Sequence, residues 1–452
     1  MKWAVFVIVL LGILPLARWI RRNPRQAPRI WILMGFLPFG ITAVRHSYMA
    51  VISWPMWPGF VKGMEVSVLD VFALAIYLSL PRVRHPLPFR WSIGFYFLAV
   101  LLSVFQAGVP AGALFYLWQL ARIFLVYAAV TRACVDERVV SALLTGMAIG
   151  LGFEFCFVVW QHFGVGVIQT TGTFGHQNFL GLVSHFVVFP LFALLLSGER
   201  GWQFVLAPIA GVIIAVLTAS RATVGLMGSS LVLVFTLSVA RRLTARKAAI
   251  ALVGAVSLAV LSPFAISSLE KRFAAAPLSE DYDERAALER AAAMILSDHP
   301  MGIGANNFVT TANTGGYYER AGVAWTSRSA EVHNAYWLAA AESGYIGLVA
   351  FVLFLLRPLI AAFSCGWRNR GDRRGDLLLG LGVGLLTVYV HSCFEWIFFL
   401  VPAQYLFAMT MGLVAALTQQ LGYWGRSGAH DRAKTLTASE PTLIPTLGAK
   451  PW

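Results

Sequence analysis

The sequence predicts an all-α, polytopic integral membrane protein, a bundle of about 12–13 transmembrane helices with one long polar loop on the periplasmic side. Three observations predict it. Of the 452 residues, 58% are hydrophobic and only 12% are charged, where a soluble domain carries about a quarter charged residues. Apolar runs long enough to cross a roughly 30 Å hydrocarbon core recur along the whole chain. The basic residues gather in short clusters between those runs, as they do in cytoplasmic loops.

The first run, about residues 4–17, is followed by Arg18, Arg21, Arg22, Arg25 and Arg29. A secretory signal carries its charge ahead of the apolar stretch, so this reads as a retained span with a periplasmic N-terminus. A second span, about 30–50, ends near Arg45 and His46 and leads into Trp54, Pro55, Trp57 and Pro58, a composition that suits an interfacial, re-entrant segment. Further spans fall near 66–81, 91–107, 112–131, 139–161, 178–197, 203–219, 222–240 and 248–266, and the last three near 336–361, 377–393 and 397–418. If the second segment only dips into the bilayer, the count is twelve.

Orientation follows from the basic loops. Arg82, Arg84 and Arg90, Arg132 and Arg138, the cluster from Arg241 to Lys247, and the cluster from Arg368 to Arg374 fall on one side, which is then cytoplasmic. The net charge of +14 is thus a record of topology. No basic stripe with interleaved aromatics marks a nucleic-acid partner. Cys134, Cys156, Cys365 and Cys393 are scattered in or beside apolar runs and read as packing residues rather than a disulfide framework.

The segment 267–334 stands out as the one extended polar stretch among the loops. Its middle, from Asp283 to about Leu296, has the Ala- and Leu-rich pattern of an amphipathic helix, and Pro300, Gly302 and Gly304 mark a turn after it. It is too regularly patterned to be disordered. The tail from about 424 is polar and reads as disordered and cytoplasmic. The organisation expected is N-terminal helices over 1–164, a functional region over 165–423 that includes this loop, and the tail 424–452.

Three polar features converge on the periplasmic face. Arg221 sits in the turn Ser220-Arg221-Ala222-Thr223 between two apolar runs, on the side where topology does not call for a cation. An arginine at such a boundary also simply snorkels to water. Arg285 and Arg290 lie on the amphipathic helix, where Asp281 and Glu289, each four residues from Arg285, offer the plainer reading of a solvated face. His333-Asn334 enters an apolar run in which Gly344 comes almost three helical turns later on the same face, with Gly347 near it. That face reads as a groove of small residues admitting another helix. The run Thr171 to Asn178, with His176 in it, is a further candidate for lining a glycan site. Arg122, inside an apolar run, carries a charge that is costly there; Glu154, Glu395 or a lipid phosphate are its candidate partners. Glu395, at the outer end of the last helical hairpin, is also placed to orient a site.

These residues resemble a known family. His333-Asn334, nine residues, then Gly344-Tyr345-Ile346-Gly347 is similar to the signature of the O-antigen ligase and polymerase family. So are the Thr-Gly-Thr-Phe-Gly-x-x-Asn-Phe-Leu run at 171–180, Ser220-Arg221, and the stretch from Arg285 through Pro300-Met301-Gly302-Ile303-Gly304 to Asn307-Phe308. The resemblance implies a GT-C-like helical bundle in the bacterial inner membrane. It implies a glycosyltransferase that takes a glycan from undecaprenyl pyrophosphate at the periplasmic face and passes it to a saccharide hydroxyl, with no cofactor and no metal. The acceptor is a lipid A core sugar for a ligase, or another lipid-linked repeat unit for a polymerase. His333, Arg221 and Arg285 match the family's catalytic residues, with Asn334, Arg290, His176, Arg122 and Gly344 as weaker binding candidates. Two departures stand out: Glu289 replaces an aromatic common one turn after the matched arginine, and Arg290 competes with Arg285. The rival reading is a transporter or flippase of the same pathway, which would place its polar residues near the bilayer midplane.

Overall fold

The computed structural model describes residues 2–24, 26–43, 48–81, 86–275, 278–395 and 400–424. Arg45, His46, Arg82, Arg84, Trp396 and the polar tail beyond 424 lie outside the described residues, as do the side chains of residues 271–282.

The chain opens with helices α1 (Lys2–Arg22) and α2 (Ala27–Ala43), followed by a hairpin of strands β1 (Tyr48–Ser53) and β2 (Gly63–Ser67). Ser67 and Asp70 then form a reciprocal capping box, and α3 (Val68–Ser79) starts where the strand ends. α4 (Arg90–Ser103), α5 (Pro110–Ala133), α6 (Glu137–Val159), α7 (Gln177–Ser197) and α8 (Trp202–Leu217) follow, then α9 (Arg221–Arg241) and α10 (Ala245–Ala275). The polar loop folds into α11 (Leu278–Asp298), α12 (Phe308–Thr314) and α13 (Tyr317–Ala321). The chain returns to the bundle in α14 (Ala335–Arg368), α15 (Arg373–His391) and α16 (Val401–Gln420).

Among the described residues, thirteen helices coincide with the expected apolar runs. Six of them, α5, α6, α7, α9, α14 and α16, are long and apolar enough to cross a membrane, and α2, α3, α4 and α8 contribute shorter apolar helices. The protein is an all-α polytopic membrane protein. The apolar stretch of α16 is 94% buried and that of α7 83%, against 28% for α9, so α7 and α16 form the centre of the bundle and α9 its edge.

The structure corrects one expectation. The aromatic stretch after the second helix is not a re-entrant segment. It is the connection of an antiparallel hairpin, in which Tyr48 pairs with Ser67 and Ser53 with Gly63. Trp57 is buried there, its ring 5.1 Å from that of Trp54. The helix that holds the tenth apolar run, α10, continues to Ala275.

The loop has its own small core. Leu288, Ala291, Ala292 and Ile295 of α11 close on Phe308, Tyr318 and Val332, the face expected of an amphipathic helix. Gly302 and Gly304 both take positive φ, 88° and 89°, in the turn that follows α11. Beyond that turn, Asn306 and Asn307 clasp the loop to the bundle. The fully buried Asn306 accepts a hydrogen bond from Val61 N (3.0 Å) and donates to Val61 O (2.8 Å) and Gly112 O (2.9 Å). Asn307 accepts from Val109 N (3.0 Å) and donates to Ala305 O (2.9 Å). One side chain thus answers the amide and carbonyl of Val61 in the hairpin connection and adds a donor to the Gly112 carbonyl in the first turn of α5.

Asn306→Ala leaves the Val61 amide and carbonyl without this partner and places alanine at φ 59°, so it costs roughly 2–5 kcal/mol. Hydrogen exchange should show lost protection at Val61 and across α12, with the centre of the bundle unaffected; unchanged exchange would show that the clasp contributes nothing.

Candidate active site

α7, α9 and α14 begin, and α15 ends, at the same end of the bundle, and the polar residues gather there around one carboxylate. After His391 the chain leaves α15 in a tight turn, with Phe394 N and Glu395 N both donating to His391 O (2.9 and 3.1 Å). The turn carries Glu395 inward to full burial. A buried carboxylate needs donors and counter-charge, and four segments supply them. Asn178, at the start of α7, donates through Nδ2 to Oε1 (2.6 Å). The Arg285 guanidinium of α11 lies 3.8 Å from the same oxygen and donates to Phe394 O (3.4 Å). His333 Nδ1 lies 3.6 Å from Oε2, beyond a short hydrogen bond and an ion pair only when the imidazole is protonated. Ser220, which caps α9, donates to Asn178 Oδ1 (2.7 Å) and accepts from Thr223 N. Burial pushes the Glu395 carboxyl up. The His333 imidazole, the Asn178 amide and the nearby His176 more than offset this and hold it below the usual carboxylate value.

Each expected residue can now be placed. Arg285 and His333 converge on Glu395 directly. Arg221, half-buried, is the first residue of α9, next to the Ser220 that joins the chain of hydrogen bonds to Glu395. Asn334 caps α14, accepting from Tyr336 N and Trp337 N, and donates to Glu289 Oε1 (3.1 Å). Glu289, the departure from the family pattern, therefore serves the strand of chain that presents His333. His176 caps α7, accepting from Asn178 N (3.3 Å). Thr173 in the preceding run is tied to Glu154 of α6 through its amide (2.9 Å) and hydroxyl (2.6 Å).

The other candidates lie elsewhere. Arg290 donates through Nε and its terminal nitrogen to Ala321 O (3.3 and 3.1 Å) and joins α11 to α13. Arg122 pairs with neither Glu154 nor Glu395. Its partners are Asp70 of α3 at 2.8 Å and the Tyr405 hydroxyl of α16, in a buried cluster closed by Ser67. Gly344 lines no groove for a neighbouring helix. With φ 71° and ψ −172° it breaks α14 in two, and a Cβ there would collide with the backbone of Pro300 and Met301. Tyr345 N donates to Pro300 O (3.1 Å) and Gly304 N to Glu342 O (2.9 Å), so the break seats the Pro-Met-Gly-Ile-Gly turn against the helix.

Sequence reasoning gave Asn178 no separate role, although its place two residues after a capping His at a helix start was the available signal. It also passed over His391 and His185, buried one turn below Glu395 with Nδ1 and Nε2 3.3 Å apart. Each stands alone in an apolar run, and nothing in the sequence pairs them.

Glu395→Gln keeps the volume and the Asn178 contact but removes the charge that His333 and Arg285 share. The variant should keep its thermal midpoint within a few degrees and lose about 10- to 1000-fold in turnover. Wild-type turnover in a folded variant would remove Glu395 from the site.

Residues 185–352 match the family model described as O-antigen ligase. That stretch carries Arg221, Arg285, His333 and Gly344, while Asn178 and Glu395 lie outside it. No curated protein matches the chain. The resemblance carried by the motifs is supported over residues 185–352, where the chain is similar to the O-antigen ligase family.

Proposed function

We propose that this protein is a membrane glycosyltransferase that moves a glycan from undecaprenyl pyrophosphate to a saccharide hydroxyl at the periplasmic face of the inner membrane. The observation that carries the reading is the meeting of His333 and Arg285 on the buried Glu395, one hydrogen-bonded step from the Ser220-Arg221 turn. The acceptor hydroxyl attacks the anomeric carbon as the bond to the pyrophosphate oxygen breaks, with inversion at that carbon. His333 takes the hydroxyl proton, and the Glu395 carboxylate orients the imidazole and stabilises the imidazolium that forms. The electron pair leaves with the pyrophosphate. Arg221 and Arg285 hold that charge by forked contacts to phosphate oxygens, aided at Arg221 by the positive end of α9. A well-placed donor of this kind supplies on the order of 3–4 kcal/mol. The mechanism needs neither a metal nor a nucleotide sugar, and it suits a GT-C-type scaffold.

A transporter reading is less well supported, because the cluster sits at helix ends rather than in broken helices at the midplane. Ligase and polymerase differ only in the acceptor. The test is transfer by the purified protein in detergent, with undecaprenyl-pyrophosphate glycan as donor, with and without lipid A core. His333→Ala should lose transfer at least about 100-fold while remaining folded. Arg221→Lys should fail as well, because a point charge does not replace the planar fork. A product ladder from donor alone identifies a polymerase, and a single shift that requires the core identifies a ligase. Full activity in His333→Ala would overturn the mechanism.

A further inference from the structure

The end of the bundle away from Glu395 is where α15 begins, at Arg373, about 28 Å along the helix from His391. A cavity of about 70 Å³ opens there among α6, α7, α8, α15 and α16. Its walls are apolar: Leu144, Leu194, Phe204, Leu377 and Leu417. Its rim carries both signs of charge. Arg373 spans Glu137 on one side and Glu199 on the other, the latter at 3.5 Å, and Arg374 pairs with Asp372 at 2.6 Å.

We propose that this cavity binds an ethanolamine-bearing phospholipid, with its phosphate on Arg373 and Arg374 and its ammonium between Glu137 and Glu199. The apolar walls take the first carbons of one acyl chain, which a free phosphate lacks. Glu137, Glu199 and Asp372, three carboxylates against two arginines at the rim, disfavour a headgroup of net negative charge. Their hydrogen-bond demand favours an ammonium with N–H donors over a quaternary amine. The Arg373 and Glu137 side chains are 50% and 52% exposed. A pair so exposed stabilises the fold little, so its members exchange readily for a ligand that satisfies both. The proposal is independent of the transfer reading, since no residue of the site takes part.

Native mass spectrometry of the full chain in detergent tests it, with phosphatidylethanolamine and phosphatidylglycerol titrated separately and inorganic phosphate as competitor. One phosphatidylethanolamine should be retained at least about fivefold more tightly than phosphatidylglycerol, a difference of about 1 kcal/mol. Glu137→Gln with Glu199→Gln should remove the preference, and Leu144→Trp, which fills the cavity, should reduce retention of both lipids. Equal retention of the two lipids by the wild type, displacement by millimolar phosphate, or unchanged binding in both variants overturns the proposal.

Discussion

A carboxylate taken wholly out of water is among the most expensive groups a protein can bury, costing several kcal/mol even after relaxation. Glu395 meets that cost with groups from four places far apart in the chain: Asn178, Arg285, His333 and, through Asn178, Ser220. None of the four is near another in sequence, and three of them stand at or just before a helix start. The constraint runs both ways. The carboxylate is tolerable only when α7, α11 and the start of α14 are docked, and those elements have a shared charged target only when Glu395 is in place. Removing one partner leaves the others facing an uncompensated charge, so the cluster behaves as a unit rather than as a sum of contacts.

How much of this was legible in the sequence depends on the range of the interaction concerned. Apolar length is a local property, and it placed the starts of the apolar helices within four residues and their ends within nine. The amphipathic face of α11 is equally local, and its apolar residues do form the loop core. The hairpin at Tyr48–Ser67 was missed because its aromatic residues have the same composition as a membrane-interface belt; only the pairing of two separated strands tells them apart. Arg122 shows the limit more sharply. A charge in an apolar run demands a partner, but the partner proved to be Asp70, at the start of another short apolar helix, and nothing local selects it over Glu154 or Glu395.

Gly344 teaches a related lesson. Its spacing from His333 is that of one helical face, and a continuous helix was the natural reading of an unbroken apolar run. The backbone instead takes a left-handed residue there, which glycine permits. The space won is filled by the Pro300–Gly304 turn. The half of α14 that presents His333 is thus packed against the polar loop, while the other half runs into the bundle. The signature spacing reflects that junction as much as any chemistry at the histidine.

The asparagine clasp has a consequence for biogenesis. Val61 and Asn306 are separated by 245 positions in the chain. At ordinary rates of synthesis that interval lasts roughly 12–50 s. Throughout it, α1 to α9 are already emerging while the hairpin edge waits with its amide and carbonyl unanswered. The N-terminal third can insert early but cannot finish folding early. A chaperone or the translocation machinery has to shelter that edge until the loop arrives, and a ribosome stalled before residue 306 would leave a membrane-inserted but unfinished protein exposed to quality-control proteolysis.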